Sequence, residues 1–101
     1  MLKKKYLKSK PVCKVTFKLK KSYVGDVDSI NLVGDINGWD EKATSLKKLK
    51  NGDFTVDLDM ETGSEYQFRY RVNHEYWIND DAADKYLPSP FPGIDNSVIS
   101  I

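Results

Sequence analysis

The sequence predicts an all-β fold, a two-sheet β-sandwich of about seven short strands. Several segments alternate apolar and polar residues with a period of two, which is the pattern of a half-buried strand. Turn signals recur at intervals of roughly eight to twelve residues, as in sandwiches. No apolar pattern with a helical period persists for three turns. The 101 residues are enough for one domain only.

Lysine dominates the start of the chain. Residues 1–21 contain nine lysines and no acid, whereas residues 22–101 contain seven basic and fifteen acidic residues, a net charge of 7 − 15 = −8. We expect residues 1–10 to form a flexible basic tail and residues 11–101 to form the single domain. The tail has the charge to contact RNA, anionic lipid or an acidic partner. The favoured interpretation is a solvated tail before an edge strand that lysines protect.

The first strand is predicted over residues 13–19, where Cys13, Val15, Phe17 and Leu19 alternate with polar residues. Cys13 belongs to the inward set and is therefore expected to be a small core residue. Residues 23–28 have the glycine and aspartate content of a loop. The second strand follows over residues 29–34 and runs into the turn marked by Asn37-Gly38.

The second half of the chain contains the clearest strands. After a short segment over 44–49 and a hairpin signal at Asn51-Gly52, alternation predicts strands over 54–60 and 66–72. In the latter strand Gln67, Arg69 and Arg71 form the outward set. Residues 73–75 are the predicted hairpin tip before a strand over 76–78. A long irregular stretch with three prolines then leads to a last strand over 98–101.

Composition excludes several classes of function. The formal net charge of +1 argues against a nucleic-acid binder that acts through bulk charge. No apolar run approaches the roughly 18–20 residues of a membrane span, so we expect neither nucleic acid nor membrane as a partner. The first residues lack the apolar stretch of a secretion signal, and the single cysteine rules out a disulfide within the chain. These features predict a cytoplasmic protein.

The residues needed for catalysis or metal binding are scarce. One histidine and one cysteine, far apart in sequence, make a zinc site improbable. Asp80, Asp81 and Asp84 lack the spacing of a calcium loop and are expected to form a solvated acidic turn. His74, the one imidazole, lies at the predicted hairpin tip, away from any candidate nucleophile. We therefore expect a protein that is not an enzyme and that carries no cofactor and no metal.

Three motifs in order resemble one family. The first is the block Leu32 to Trp39, a strand that ends in glycine before an Asn-Gly-Trp turn. The second is the strand from Tyr66 to Asn73 with Tyr76-Trp77 beyond it, and the third is the closing segment Gly93 to Ile99. Together they resemble carbohydrate-binding module family 48. These early-set immunoglobulin-like domains accompany isoamylases and branching enzymes and include the glycogen-binding domain of the AMP-activated protein kinase β subunit.

The resemblance implies an immunoglobulin-like sandwich and a site for α-glucans. By this resemblance Trp39 matches the family's first sugar-stacking tryptophan. Trp77 matches the second if the hairpin here is one residue longer than the family's, and otherwise Tyr76 takes that place. Arg69 matches a basic residue that hydrogen-bonds sugar hydroxyls, and Asn96 matches an asparagine that contacts the sugar. Asn37 belongs to the first motif and completes the expected set. The aliphatic residue that wedges into the glucan has no clear match, although Phe91 and Pro92 lie nearby.

Physical chemistry supports the same residues and leaves alternatives open. A glucose ring offers an apolar face to an indole and hydroxyls to polar groups such as Gln67 and Arg69. Trp39 is equally expected as a sugar platform or as a plug that closes the sandwich. For Trp77 we expect exposure, with Tyr76 inward, and for Arg69 either a sugar contact or a solvated strand face.

Three functions follow from these alternatives. The first is a non-catalytic module that binds α-glucans such as glycogen, starch or maltooligosaccharides. The second is a protein-interaction domain whose tryptophans contact a glycoside hydrolase or another partner protein. The third is a domain that only supports a neighbour in a longer protein.

Overall fold

The computed structural model describes residues 2–90 and 93–101, which form two antiparallel sheets. The strands are β1 (Leu2–Tyr6), β2 (Val12–Leu19), β3 (Ile30–Gly34), β4 (Lys47–Lys48), β5 (Phe54–Glu61), β6 (Glu65–Val72), β7 (Tyr76–Ile78), β8 (Lys85–Pro88) and β9 (Asp95–Ser100). Helix is limited to α1 (Lys21–Val24) and a 3₁₀ turn (Asp35–Asn37). The architecture confirms the predicted all-β sandwich, with nine strands over these residues instead of about seven.

Three strands pair with β6. The first sheet has the order β1-β2-β5-β4, and the second has the order β3-β6-β9-β8 with β7 also paired to β6. β3 covers one edge of β6, while β9 pairs with residues 65–68 and β7 with residues 70–72. Since an edge accepts one neighbour at a time, β9 and β7 lie end to end along the second edge. Arg69 falls at the junction between them.

The core lies between the two sheets and follows the predicted alternation. The inward residues of β2, Cys13, Val15, Phe17 and Leu19, are all at most 1% exposed. The ring of Phe17 on the first sheet meets that of Phe68 on the second edge-to-face, with centroids 5.4 Å apart. This contact joins the faces of the two sheets. Within the described ranges, no helix has the length and apolarity that crossing a bilayer requires.

The N-terminal residues differ from the flexible tail that the sequence predicts. Leu2–Tyr6 pair antiparallel with β2 and form the edge strand of the first sheet. Lys4 Nζ lies 2.7 Å from Asp84 Oδ2 and donates to the Ser100 carbonyl at 2.9 Å, which ties this edge to the second sheet. The pKa of Asp84 is lowered: burial raises it, but the hydrogen bonds from Lys4 and from the Ser100 backbone N–H outweigh burial.

The proline-containing stretch also contains a strand that alternation does not predict. Lys85–Pro88 pair with β9 at the edge of the second sheet, where a proline at the strand end interrupts no ladder. The preceding residues are fixed by Asp80, which is 1% exposed. Its Oδ2 accepts a 2.6 Å hydrogen bond from Tyr70 Oη, and its backbone N–H donates to Ser97 Oγ at 2.9 Å. Buried polar contacts therefore hold this stretch on the sandwich.

Candidate functional site

The turn after β3 determines where Trp39 lies. The backbone N–H of Trp39 donates to the Gly34 carbonyl at 2.9 Å, and Gly38 takes the left-handed conformation with φ 67°. The hydrogen bond runs from the N–H of the sixth residue of the turn to the carbonyl of the first, and a left-handed glycine precedes the donor residue. This is the pattern of a Schellman motif. Trp39 itself has φ 61°, a conformation that side chains with a Cβ rarely adopt. The turn thus places the indole against the end of β6.

Asn37 holds this turn together instead of lining a site. Its Oδ1 accepts from the Gly34 backbone N–H at 3.1 Å, and its Nδ2 donates to the Leu32 carbonyl at 2.8 Å and to Thr44 Oγ1 at 3.1 Å. These bonds engage both ends of the side-chain amide. The structure therefore gives Asn37 a structural role and does not place it with the other predicted sugar contacts.

Asp35 positions the Trp39 ring. One carboxylate oxygen, Oδ1, accepts from Trp39 Nε1 at 2.9 Å, and the other, Oδ2, accepts from the Gln67 backbone N–H at 2.8 Å. The carboxylate thereby links the turn to β6. Trp39 keeps part of its surface accessible. It consequently lies at the outer face of the second sheet and does not act as a buried plug between the sheets.

Arg69 is on the outer face, as alternation predicts, but it is not solvated. Only 7% of the residue is exposed, so the structure corrects the alternative of a solvated strand face. The guanidinium carbon lies 4.9 Å from the centroid of the Trp77 ring, and that of Arg71 lies 4.8 Å from the same centroid. Burial lowers the pKa of the Arg69 guanidinium from its ordinary value. Arg69 is therefore a desolvated cation packed against an aromatic ring.

The hairpin tip places Trp77 and Tyr76 on opposite faces. Asn73 and His74 both have positive φ, 51° and 56°, as the two central residues of a tight hairpin turn do. Trp77 lies opposite Arg71 on the outer face and is half-buried. Tyr76 lies opposite Val72 and is 43% exposed at the end of the strand.

A cavity of about 450 Å³ lies on this outer face, lined by Asp35, Trp39, Gln67, Arg69, Pro90 and Asn96. Of the residues predicted for the site, Trp39, Arg69 and Asn96 come together here. Trp77, Tyr76 and Asn37 are not among the lining residues. Phe91 and Pro92, named for the aliphatic wedge, lie outside the described residues. The cavity therefore joins members of all three sequence motifs.

Two buried polar atoms at this cavity have no hydrogen-bond partner within residues 2–90 and 93–101. They are Arg69 Nε, a donor, and Asn96 Oδ1, an acceptor. The other end of the Asn96 amide donates to Gln67 Oε1 at 3.1 Å, which leaves Oδ1 as the end without a partner. Buried polar groups are nearly always satisfied, and each exception needs an explanation. A polar ligand in the cavity would supply both missing partners.

Two residues that line this cavity are not predicted from the sequence as site residues. They are Asp35, which belongs to the first motif, and Pro90, one of the prolines of the irregular stretch. A signal was available for Asp35, because a carboxylate four residues before a turn-borne tryptophan is within reach of the indole N–H. Pro90 lies next to the cavity only because β8 folds back on β9, which the sequence did not predict.

The described residues contain no group of three or more metal-ligating side chains in proximity. His74 is exposed at the hairpin tip. In comparisons with known proteins, no family model and no curated protein matched this chain. A function can therefore be inferred only from the geometry of the cavity.

Proposed function

We propose that this protein is a non-catalytic carbohydrate-binding module for α-glucans, with glycogen, starch or maltooligosaccharides as its partners. Its site is the cavity between the Trp39 turn and the outer face of β6. We also propose that the chain is related to carbohydrate-binding module family 48, which its three motifs resemble, and that the protein is located in the cytoplasm.

One observation carries the proposal: an accessible indole adjoins an unpaired buried donor and an unpaired buried acceptor. A hexose presents an apolar face of C–H groups, which an aromatic ring can cover, and a rim of hydroxyls that both donate and accept. The indole of Trp39 can cover the apolar face of the sugar. Arg69 Nε can donate to a hydroxyl, and Asn96 Oδ1 can accept from one. A sugar ring combines these two requirements in one ligand.

Binding is tested by titrating the protein with maltoheptaose and β-cyclodextrin while following tryptophan fluorescence. We expect a spectral shift with a midpoint between about 1 μM and 1 mM, equivalent to about −8 to −4 kcal/mol. Cellohexaose, with β-linked glucose, is the matched control and should produce a much smaller response. If no α-glucan shifts the spectrum while a glycoside hydrolase is retained by the immobilised protein, the module binds protein and the proposal is wrong.

The absence of catalysis is tested separately. Incubation with starch, glycogen or pullulan should release no reducing sugar, because glycoside hydrolysis needs two carboxyl groups facing one bond. Asp35 is the one acid among the described residues that line the cavity, and both of its oxygens already accept hydrogen bonds. Release of sugar that persists on repurification and disappears in Asp35→Asn would show an enzyme.

A further inference from the structure

The Arg69 guanidinium is a buried positive charge with no carboxylate partner among the described residues. The residue is 7% exposed, and no carboxylate oxygen in the described part of the chain lies within 4.0 Å of its nitrogens. A charge taken out of water is costly unless an opposite charge or several hydrogen bonds compensate it. Its Nε also lacks a hydrogen-bond partner. The described residues therefore compensate the Arg69 charge incompletely.

The acids on this face are already engaged elsewhere. Asp35 lines the cavity, but its Oδ1 accepts from Trp39 Nε1 and its Oδ2 from the Gln67 backbone N–H. Glu41 lies 3.4 Å from Arg71 Nε and compensates that neighbouring cation. Within the part of the chain that the structure describes, this face thus pairs Arg71 with a carboxylate and leaves Arg69 without an ion pair.

Trp77 compensates Arg69 in part and fixes its position. An aromatic ring attracts a guanidinium through its quadrupole, which is weaker than a full opposite charge. The ring at 4.9 Å nevertheless keeps the guanidinium at the cavity wall. An arginine held in this way loses little conformational freedom when an anion binds. Arg69 is therefore organised to receive an oxyanion before any ligand arrives.

We propose that Arg69 binds a phosphate ester carried on the α-glucan, so that the module prefers phosphorylated over neutral chains. This inference rests on the proposed function and adds the substrate class. The fork of a guanidinium matches two oxygens of a phosphate, and charge-assisted hydrogen bonds of this kind are the strong ones. Asn96 Oδ1 accepts from a sugar hydroxyl beside the ester, and Trp39 covers the ring. A cavity of about 450 Å³ lies within the usual size range of small-molecule sites.

Calorimetric titration with three ligands tests the inference: maltoheptaose, maltoheptaose with one glucose 6-phosphate, and inorganic phosphate. We expect the phosphorylated chain to bind at least about tenfold more tightly than the neutral one, with an advantage that shrinks as salt screens the charge. Inorganic phosphate alone should bind more weakly than the phosphorylated chain. Equal affinity for the two chains would overturn the phosphate preference and leave glucan binding intact. Absence of binding by either chain would overturn the proposed function itself.

A variant pair assigns the preference to Arg69. Arg69→Gln should lose the preference and bind both chains with similar affinity. Lys47→Gln removes the same charge from an exposed residue of β4 on the other sheet and should retain the preference. Circular dichroism establishes that both variants fold.

A measurement on the unmodified protein covers the case in which Arg69→Gln fails to fold. The phosphorylated chain should shift the Arg69 Nε–H resonance further than the neutral chain does in a nitrogen-edited NMR spectrum. Equal shifts at saturation with the two chains would overturn the assignment.

Discussion

The guanidinium group of Arg69 packs on the indole of Trp77, with its carbon 4.9 Å from the ring centroid. Arg71 approaches the same ring at 4.8 Å from its own position across from Trp77 in the β6–β7 register. Two guanidinium groups therefore pack against this half-buried ring. In the proposed site Trp77 holds Arg69 in position, whereas the sequence predicted a second open platform.

This relationship predicts an energetic coupling between Arg69 and Trp77. In a double-mutant cycle with Arg69→Gln and Trp77→Leu, the free energies of unfolding should be non-additive by about 0.5–2 kcal/mol, the range for a cation–π contact from exposed to desolvated sites. Urea denaturation of the four proteins measures it. A second cycle, Arg69→Gln with Tyr86→Leu, pairs Arg69 with an aromatic residue outside this cluster and should be additive. A coupling of zero in the first cycle would contradict the contact.

The two tryptophans should differ in their effect on glucan binding. Trp39→Ala removes a ring that lines the cavity and should weaken maltoheptaose binding by about 1–3 kcal/mol, through lost apolar burial and lost ring contact. Trp77→Leu should weaken it less, because Trp77 is outside the lining and acts through Arg69. Calorimetric titration of both variants measures the difference. A larger loss of affinity in Trp77→Leu than in Trp39→Ala would contradict this order. It would favour the sequence-based prediction that Trp77 is itself a sugar platform.

The left-handed backbone at Trp39 predicts an unusual order of stability. At most positions glycine is less stable than alanine, but a residue with a Cβ pays roughly 1–2 kcal/mol for the left-handed conformation. With φ 61° at this position, Trp39→Gly should be at least as stable as Trp39→Ala. Both variants should lose glucan binding equally, since both lack the ring. Thermal unfolding and titration measure the two effects, and a clearly less stable glycine variant would contradict the assigned geometry.

Alternation in the sequence was sufficient to assign the faces of the long strands. The inward set of β2 is fully buried, and Gln67, Arg69 and Arg71 lie on the outer face of β6 as predicted. A period of two is a local property, which the order of residues alone determines.

What the sequence did not predict depends on contacts between distant segments. Nothing local distinguishes Arg69 from a solvated arginine, because its burial comes from its place at the junction of β9 and β7 on one edge of β6. Likewise, β1 contains a run of three lysines with no alternation and forms only because β2 offers a free edge. The strand β8 ends in proline and forms by pairing with β9. The cavity depends on β8 and on this junction, so the sequence named three of the lining residues, Trp39, Arg69 and Asn96, without predicting the shape of the cavity.

The buried hydroxyl of Tyr70 is expected to make the fold less stable at alkaline pH. Burial, followed by the charge of Asp80 and the hydrogen bond to it, raises the pKa of the Tyr70 hydroxyl well above its ordinary value of 10.0. The folded protein therefore keeps this proton while the unfolded chain loses it near pH 10, so the contribution to stability is complete below about pH 10 and decreases as pH rises further.

Unfolding experiments between pH 8 and about pH 11 test this dependence. Tyr70→Phe should cost about 1–3 kcal/mol at pH 8, because a buried hydrogen bond to Asp80 is lost, and its stability should fall less steeply above about pH 10 than that of the unmodified protein. Tyr6→Phe removes an exposed hydroxyl and serves as the control, with little effect at either pH. Parallel curves for Tyr70→Phe and the unmodified protein would contradict the linkage.

The close approach of Gly34 to β6 gives the last prediction. A Cβ built on Gly34 would lie 2.4 Å from the Gln67 carbonyl oxygen and 2.6 Å from Phe68 Cβ, so the backbone of β3 or β6 has to move. The φ of Gly34 is −179°, an extended conformation that any residue adopts, so the cost comes from the clash alone. Gly34→Ala should destabilise the fold by about 1–3 kcal/mol, and it should also weaken maltoheptaose binding because Gln67 lines the cavity.

Gly63→Ala is the matched control, since its added Cβ meets open space and only its φ of 83° is unfavourable. It should lower stability by about 1–2 kcal/mol and leave binding unchanged. If the two variants bind maltoheptaose equally well, the contact between Gly34 and β6 does not shape the site.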